Sequence, residues 1–236
     1  ELNSDDRVLE LGCGVGRIGR ELAPHCARWT GVDISEKMIA HARDRLGHLG
    51  NTEFHQLDRT NLEAVPDKSL TKAYSVAVLC HMDKEDLYLY LQELHRTVRP
   101  GGLIYVETWN LSHPIGWKRW EYEVANWRRS EQKQRKDVAR NQFCTPDEFE
   151  LYVRRAGFTP LACHSDSPWV QVVAGHSLDD AEIAHDLPVI GHDLFPTIAA
   201  VALVDSAASS VTKARRRSAL DSRDMGSIGM PVGFLQ

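Results

Sequence analysis

Short runs rich in apolar residues alternate with amphipathic segments over the first 175 residues of the chain. Five of these runs predict short strands that are largely buried: RVLEL, RWTGVDI, TEFHQLD, AYSVAVL and LIYVETW. The segments between them repeat apolar side chains at helical spacing, which predicts helices. Strands that alternate with helices predict an α/β fold, Rossmann-like and doubly wound, with a mostly parallel sheet covered on both faces.

Turn and capping residues mark where these elements begin and end. Ser35 is placed to cap the second helix, and Thr145 with Glu148 three residues later predicts the start of a later one. The sequence RPGG is expected to separate a helix from the fifth strand. Beyond it, TPLACHS and WVQVVAG predict two strands that close the sheet as a hairpin-like pair, with an antiparallel last strand.

The organisation predicted for the chain is one domain with two additions. Residues 1–175 form the domain, and residues 109–144 form a lid-like insertion after the fifth strand. Residues 176–236 are rich in Ala, Ser and Asp and show weak periodicity, which predicts a poorly ordered C-terminal extension. Because the chain begins at Glu1, almost directly on the first strand, we expect that a preceding segment is missing.

Composition narrows the classes of function. The chain has 236 residues and a net charge of −5, whereas a general nucleic-acid partner would favour a basic balance. Its five cysteines are scattered and form no CxxC pair, which indicates reduced thiols in a cytoplasmic protein. The apolar run IAAVALV is too short to span a membrane. We therefore expect a small-molecule partner and leave the oligomeric state open.

A glycine-rich segment, LELGCGVGRIG, begins in the last three residues of the first predicted strand and continues beyond it. Its GxGxxG spacing, with Asp33 some distance on, formally matches a dinucleotide-binding fingerprint. The same segment also resembles the S-adenosylmethionine loop of class I methyltransferases, in which an acid is followed after one residue by GxGxG; here these residues are Glu10, Gly12, Gly14 and Gly16. A carboxylate beside a pyrophosphate would repel it, whereas S-adenosylmethionine carries an ammonium, a sulfonium and a free ribose. Glu10 therefore favours S-adenosylmethionine as the ligand.

The chain resembles class I S-adenosylmethionine-dependent methyltransferases of the bacterial, small-molecule type over residues 7 to 175. The resemblance rests on LELGCGVG, on GVDIS with MIAHA behind it, on FHQLD and on LHRTVRPGGLIYVE. One position departs from the family, because Thr71 stands where an acid usually begins the fourth strand.

The resemblance implies a set of cofactor-binding residues. Asp33 would accept from both ribose hydroxyls, and Asp58 from the adenine amino group, with Glu10 near the methionine amino group. The full cofactor set that it implies is Glu10, Gly12, Cys13, Gly14, Gly16, Asp33, Ile34, Met38, Asp58, Arg59, Ser75 and Val76. Cys13 is expected to be a small filler within the loop, and Gly19 to serve helix packing.

Candidate catalytic residues follow the fourth and fifth strands. His81 is placed where a general base could reach the methyl group, with His113 and Glu107 as further candidates. Each histidine could instead cap or pack a helix. The tryptophan-rich insertion supplies a predicted acceptor pocket: Trp109, Trp117 and Trp120. Trp117, Trp120, Val124 and Trp127 share one helical face. No ligand spacing indicates a metal site.

The function predicted is transfer of a methyl group from S-adenosylmethionine to an oxygen or nitrogen of a small molecule. A protein-directed methyltransferase is one alternative. An NAD(P)-dependent oxidoreductase or a non-catalytic cofactor-binding module are alternatives of another class. An oxidoreductase would be expected to show a hydride site such as Tyr-x-x-x-Lys, which the sequence lacks.

Overall fold

The computed structural model of the chain describes residues 2–129 and 141–178. One sheet runs through this part of the molecule. Its strands in chain order are β1 (Arg7–Leu11), β2 (Arg28–Asp33), β3 (Thr52–Gln56), β4 (Leu70–Ser75), β5 (Val98–Asn110), β6 (Phe143–Cys144), β7 (Phe158–His164) and β8 (Trp169–His176).

Helices connect most of these strands. They are α1 (Arg17–Leu22), α2 (Glu36–Leu46), α3 (Lys84–Thr97), α4 (Pro114–Arg129) and α5 (Pro146–Arg155). A short 3-10 turn over Leu79–His81 lies between β4 and α3. The Ser35 hydroxyl accepts from the Met38 amide and the Thr145 hydroxyl accepts from the Glu148 amide, so both predicted caps are confirmed.

The sheet has the order β3-β2-β1-β4-β5-β8-β7, with β6 paired to β5. The first five strands are parallel to one another, whereas β8 is antiparallel to both β5 and β7. The prediction of a doubly wound, mostly parallel sheet with an antiparallel last strand is confirmed. Strand order reverses between β1 and β4, and in such sheets ligands bind outside the carboxyl ends of the strands at that point.

Several strand boundaries differ from those predicted, and one short strand was not predicted at all. β4 begins at Leu70 and ends at Ser75, so Val76 lies beyond the strand that was predicted to contain it. The RPGG segment belongs to β5 because Val98 already pairs with Leu70, and the register shift between Leu70 and Lys72 absorbs the irregularity. β6 has only two residues, too few for a pattern to mark, and was not predicted.

Asp6 supplies the acid that is missing at the start of β4. The Thr71 hydroxyl donates to Asp6 Oδ1 at 2.7 Å, and Lys72 forms an ion pair with the other carboxylate oxygen. The Arg7 amide in turn donates to the Thr71 hydroxyl at 3.0 Å. The departure from the family pattern at Thr71 is thus compensated locally, by a buried carboxylate from the residue before β1.

The two faces of the central strands differ in character. Leu9, Ala73, Ile104 and Val106 point into the main apolar core, which also contains Leu87, Leu91 and Leu94 of α3 and Phe149 and Val153 of α5. The opposite face carries buried polar side chains from β1, β4 and β5.

Residues 179–236, and residues 130–140 of the predicted insertion, lie outside the described residues.

A chain that ends at Leu178 is expected to fold by itself, because β8, the last strand to join the sheet, is complete at His176. Circular dichroism during thermal unfolding should show one cooperative transition. A matched chain that ends at Pro168 lacks β8, which pairs with both β5 and β7, and should show no such transition. A non-cooperative melt for the longer of the two would mean that residues beyond 178 contribute essential core.

Candidate functional site at the strand ends

The glycine loop joins β1 to α1 at the carboxyl edge of the sheet. The amides of Gly12 and Cys13 both donate to the Val32 carbonyl of β2, at 2.8 and 2.9 Å. Gly12, Gly14 and Gly16 have φ angles of 74°, 51° and 73°, in the left-handed region that residues with a Cβ rarely adopt. The loop therefore depends on glycine for its path and is fastened to the end of the neighbouring strand.

Three glycines of the segment meet different environments. A Cβ on Gly14 would have no atom within 4 Å, so its backbone borders open space. A Cβ on Gly12 would lie 2.3 Å from Val78 Cγ2, and one on Gly19 would lie 2.4 Å from the Trp29 ring. Gly19 thus serves helix–sheet packing, as expected. Gly14 is where a ligand can lie against the loop.

Asp33 stands beside this open backbone at the end of β2. Its Oδ2 accepts from the Gly14 amide and its Oδ1 from the Ser35 amide, both at 2.9 Å. A carboxylate has about four acceptor positions, so these two bonds orient Asp33 and leave acceptor capacity for a ligand. A pair of vicinal hydroxyls fits this arrangement.

The residues predicted to bind adenine lie beyond the ends of β2 and β3, and most of them are exposed. Ile34 follows Asp33 and is 71% exposed, which is unusual for a large apolar residue, and Met38 is half-buried nearby in sequence on α2. Asp58 and Arg59 lie just beyond β3, where they are exposed and form an ion pair of 3.4 Å. An exposed apolar side chain and an exposed carboxylate are thus presented beyond β2 and β3.

Glu10 is buried beneath the loop. Its Oε2 accepts from the Tyr74 hydroxyl at 2.7 Å, and that hydroxyl accepts from Trp29 Nε1 at 3.0 Å. The Gly19 amide also donates to the carboxylate, yet burial dominates and raises the pKa of Glu10 to about 8. Burial likewise raises the pKa of the Cys13 thiol far above its usual range, so Cys13 remains a protonated filler.

Ser75 and Val76 mark the end of β4. The Ser75 hydroxyl is fully buried and donates to the Leu11 carbonyl at 3.2 Å, which ties β4 to β1. Val76 is half-buried, and the chain then passes through Ala77 to Val78, whose side chain packs against Gly12. The segment after β4 therefore lies directly against the glycine loop.

A cavity of about 420 Å³ lies beside the same edge of the sheet. Apolar side chains form much of its wall: Leu111, Trp120, Val124, Trp127 and Phe143. Polar residues complete the lining: Lys84, Glu123, Asn126, Asn141 and Gln142. A pocket of this size and character suits a small molecule that is mostly apolar.

The predicted tryptophan cluster is split by the structure. Trp120 lines the cavity together with Val124 and Trp127 of the same predicted helical face. Trp117 lies outside that lining, 47% exposed, and its ring centroid is 4.8 Å from that of Trp120. Trp109 lies on β5 and stacks on Trp169 at 4.3 Å. Of these three tryptophans, Trp120 is the one that lines the cavity.

The two candidate histidines occupy different positions. His81 ends the 3-10 turn after β4. Partial burial of its imidazole and the nearby Arg119 guanidinium lower the pKa of His81. His113 precedes α4, and its Nδ1 accepts from the Ile115 amide at 3.2 Å. That bond places the His113 ring against the first turn of α4.

Glu107, the third candidate base, has a buried position that its sequence context does not reveal. It is 4% exposed on β5 and accepts from the Ala77 amide, the Tyr105 hydroxyl and the Gln171 side-chain amide. Ala77 itself has a φ of 56°. Neither feature leaves a signal in a single sequence, because both depend on contacts between distant strands.

Two further classes of site are absent from residues 2–129 and 141–178. No group of three or more His, Cys, Asp or Glu side chains there could hold a metal ion. None of the helices described is both long enough and apolar enough to cross a membrane.

Comparison with known proteins identifies the domain. Residues 8–102 match the sequence model of a family described as "Methyltransferase domain". The chain contains a class I S-adenosylmethionine-dependent methyltransferase domain. The matched part of this methyltransferase domain extends from β1 into β5 and contains the glycine loop, Asp33 and the segment after β4. The cavity-forming helix α4 lies beyond it.

Similar proteins agree with this assignment. The chain is 35% identical over 106 residues to the S-adenosyl-L-methionine-dependent Diels-Alderase iccD of Talaromyces variabilis, covering 43% of this chain and 35% of that protein. It is 31% identical over 113 residues to sterol 24-C-methyltransferase of Eremothecium gossypii, covering 46% of this chain and 29% of that protein. The chain thus spans about a third of the length of these relatives.

A solved structure supports the fold of the methyltransferase domain. A methyltransferase from Methanosarcina mazei superposes with a TM-score of 0.60 at 19% identity, and the match covers 75% of this chain and 95% of that one. At this identity the likeness is one of fold.

The pKa of Glu10 predicts how the stability of the domain depends on pH. The folded protein holds a proton on Glu10 up to about pH 8, whereas the unfolded chain releases it near pH 4.5. The contribution of Glu10 to the free energy of unfolding is therefore full below pH 4.5 and is lost as the pH rises through 8. Glu10→Gln should flatten this part of the profile, measured by urea unfolding from pH 5 to 9.

The control for this experiment is Glu21→Gln, a change at an exposed acid on α1. It should leave the pH profile of wild type unchanged. If the Glu10→Gln protein kept the full wild-type slope, Glu10 would not be protonated in the folded state.

Proposed function

We propose that this protein binds S-adenosylmethionine at the carboxyl ends of β1 and β2 and transfers its methyl group to a small-molecule acceptor. The observation that carries the proposal is the bare backbone of Gly14 beside the Asp33 carboxylate. Open backbone and a carboxylate with spare acceptor capacity suit a ligand that combines a ribose with cationic groups and lacks phosphate.

The cofactor residues in this proposal follow the strand ends. Asp33 would accept from the ribose hydroxyls, with Ile34 and Met38 flanking the adenine. Asp58 and Arg59 would serve the adenine edge, while Ser75 and Val76 would lie toward the methionine end. Gly12, Cys13, Gly14 and Gly16 would form the floor. When bound, S-adenosylmethionine supplies an activated methyl group on a sulfonium.

In this proposal Glu10 does not contact the methionine amino group directly. Its carboxyl group is already held by the Tyr74 hydroxyl and the Gly19 amide. It would support the loop from beneath, and its effect on the ligand would be transmitted through the fixed positions of Gly12 and Gly14.

The acceptor would occupy the cavity beneath α4. The segment from Val78 to His81 contacts the glycine loop at one end, through Val78 and Gly12. At its other end the Cys80 carbonyl accepts from the Gln142 amide at 2.7 Å, and Gln142 lines the cavity. One short segment thus links the two sites, which supports an acceptor that reaches the cofactor over His81.

The apolar wall of the cavity favours a largely apolar acceptor, and the sterol methyltransferase among the relatives is consistent with this class. Because that relative is a C-methyltransferase, carbon joins oxygen and nitrogen as a candidate acceptor atom. His81 has a lowered pKa, so it would be neutral at pH 7 and able to accept a proton from the acceptor.

A second candidate function is cyclisation without methyl transfer. It is favoured by the relative named a Diels-Alderase that depends on S-adenosyl-L-methionine. The two functions differ in the fate of the cofactor, because only methyl transfer yields S-adenosylhomocysteine. Product analysis with a panel of long-chain, isoprenoid and polyene small molecules would separate them.

Asp33→Ala tests the cofactor site. It should weaken S-adenosylhomocysteine binding by about 1–3 kcal/mol, because ribose hydroxyls lose a charged acceptor. Isothermal titration calorimetry of wild type and variant gives the difference, and wild type should not respond to NADH. Asp44→Ala, at an exposed position on α2, is the matched control and should bind as wild type does. Equal affinity for wild type and Asp33→Ala would refute the placement of the ribose.

Trp120→Ala and His81→Ala test the acceptor side, using the first panel compound that releases S-adenosylhomocysteine. Trp120→Ala should raise the acceptor KM several-fold, because it removes part of the apolar cavity wall. His81→Ala should lower kcat by about 10²–10⁴-fold if His81 removes a proton in the rate-limiting step. Neither change should alter S-adenosylhomocysteine affinity by more than about twofold, because each keeps the charge balance of the cofactor site.

The control on α4 is Ile115→Ala, since Ile115 is 56% exposed and outside the described cavity lining. It should keep the wild-type KM. An unchanged KM for Trp120→Ala would place the acceptor elsewhere along the strand ends, and an unchanged kcat for His81→Ala would leave alignment of the acceptor as the source of the rate.

A further inference from the structure

We infer that Glu107 is a positioning residue that holds Ala77 in a left-handed backbone conformation and so sets the position of Val78 against the glycine loop. The inference rests on the proposed function for its consequence at the cofactor site. It reassigns Glu107, whose place near the carboxyl end of β5 suggested a general base.

Glu107 is enclosed by three hydrogen-bond donors. Its Oε1 accepts from the Ala77 amide at 3.0 Å, and its Oε2 accepts from the Tyr105 hydroxyl at 2.8 Å and from Gln171 Nε2 at 3.1 Å. The side chain is 4% exposed. A buried carboxylate with these partners is fixed in place and closed to an incoming acceptor, which argues against a base.

Ala77 is held in an unfavourable conformation. Its φ of 56° brings its Cβ close to the backbone, and such a residue persists only where its surroundings compensate for the strain. The Glu107 side chain accepts a hydrogen bond from the amide of this same residue. Glycine would adopt the conformation without that help.

The consequence of the turn at Ala77 is the close approach of the next residue to the loop. Val78 Cγ2 lies 2.3 Å from where a Cβ on Gly12 would be, so the two backbones approach within the thickness of one side chain. Relaxation of Ala77 toward negative φ would redirect Val78. The glycine loop would then lose the surface against which Gly12 packs.

The experiment is a double-mutant cycle between Glu107→Gln and Ala77→Gly in the full chain. Glutamine keeps the shape of Glu107 but has one acceptor oxygen for three donors. Glu107→Gln alone should raise the Kd of S-adenosylhomocysteine about tenfold, as expected for the loss of a buried hydrogen bond. We call the hydrogen bond from the Ala77 amide to Glu107 the clamp. Adding Ala77→Gly should restore the Kd to within about threefold of wild type, because glycine adopts this conformation without the clamp.

Lys68→Gly is the matched control for the rescue. Lys68 is the other non-glycine residue with a positive φ in the described residues, at 51°, and it lies in an exposed turn before β4 with its amide bonded to the Arg96 carbonyl. Lys68→Gly should relieve backbone strain at positive φ as Ala77→Gly does. In the Glu107→Gln background it should not restore the affinity for S-adenosylhomocysteine. Equal rescue by both changes would overturn the inference.

Four further outcomes are decisive. Wild-type affinity in Glu107→Gln, or no rescue by Ala77→Gly, would show that Glu107 does not act through Ala77. A loss of affinity for S-adenosylmethionine alone, with S-adenosylhomocysteine unaffected, would show that its charge acts on the sulfonium instead, which would also overturn the inference. If Glu107→Gln shifts the unfolding midpoint less in the Ala77→Gly background than in the wild-type chain, that result supports the clamp independently of any ligand.

The unfolding measurement also separates this inference from the proposed function. If wild type bound no S-adenosylhomocysteine, the proposed function would fail. Coupling between positions 107 and 77 in the unfolding midpoint would still establish the clamp, and additive midpoints would refute it.

Discussion

The hydrogen bonds from the Gly12 and Cys13 amides to the Val32 carbonyl are the interaction on which the site depends. They continue the pairing of β1 with β2 past the end of β1, so the loop leaves the sheet fastened to its neighbour. As a result the Gly14 amide reaches the Asp33 carboxylate, and the open backbone and the acid stand side by side. Two residues that are 19 positions apart become one binding surface because the strands that carry them are parallel and adjacent.

The features that the sequence predicted correctly are those specified by neighbouring residues. The caps at Ser35 and Thr145, the glycine loop and the alternation of strands and helices all depend on short-range chemistry. The departure at Thr71 was visible as well, but its compensation by Asp6 was not, because that contact spans 65 residues. Local patterns carry no information about which distant side chain completes a cluster.

The acceptor side shows the same limit. Helical spacing grouped Trp117 with Trp120 and Trp127, yet the rotation of α4 about its axis decides which of them line the cavity. At Gly116 the missing side chain lets α4 approach the Asn110 carbonyl, because a Cβ there would lie 1.7 Å from the oxygen. β6, two residues long, and the clamp between Glu107 and Ala77 likewise arise only once the strands are assembled.

The polar side chains on one face of the central strands also bear on how the sheet selects its alignment during folding. Glu10 pairs in register with Tyr74, and Tyr74 with Tyr105, so a row of polar groups crosses β1, β4 and β5 on one face only. Sliding any of these strands by one residue would turn its acid or tyrosine into the layer formed by Leu9, Ala73 and Ile104. A buried carboxylate without partners there would be strongly disfavoured. The polar row therefore discriminates against misaligned sheets in a way that uniformly apolar strands could not.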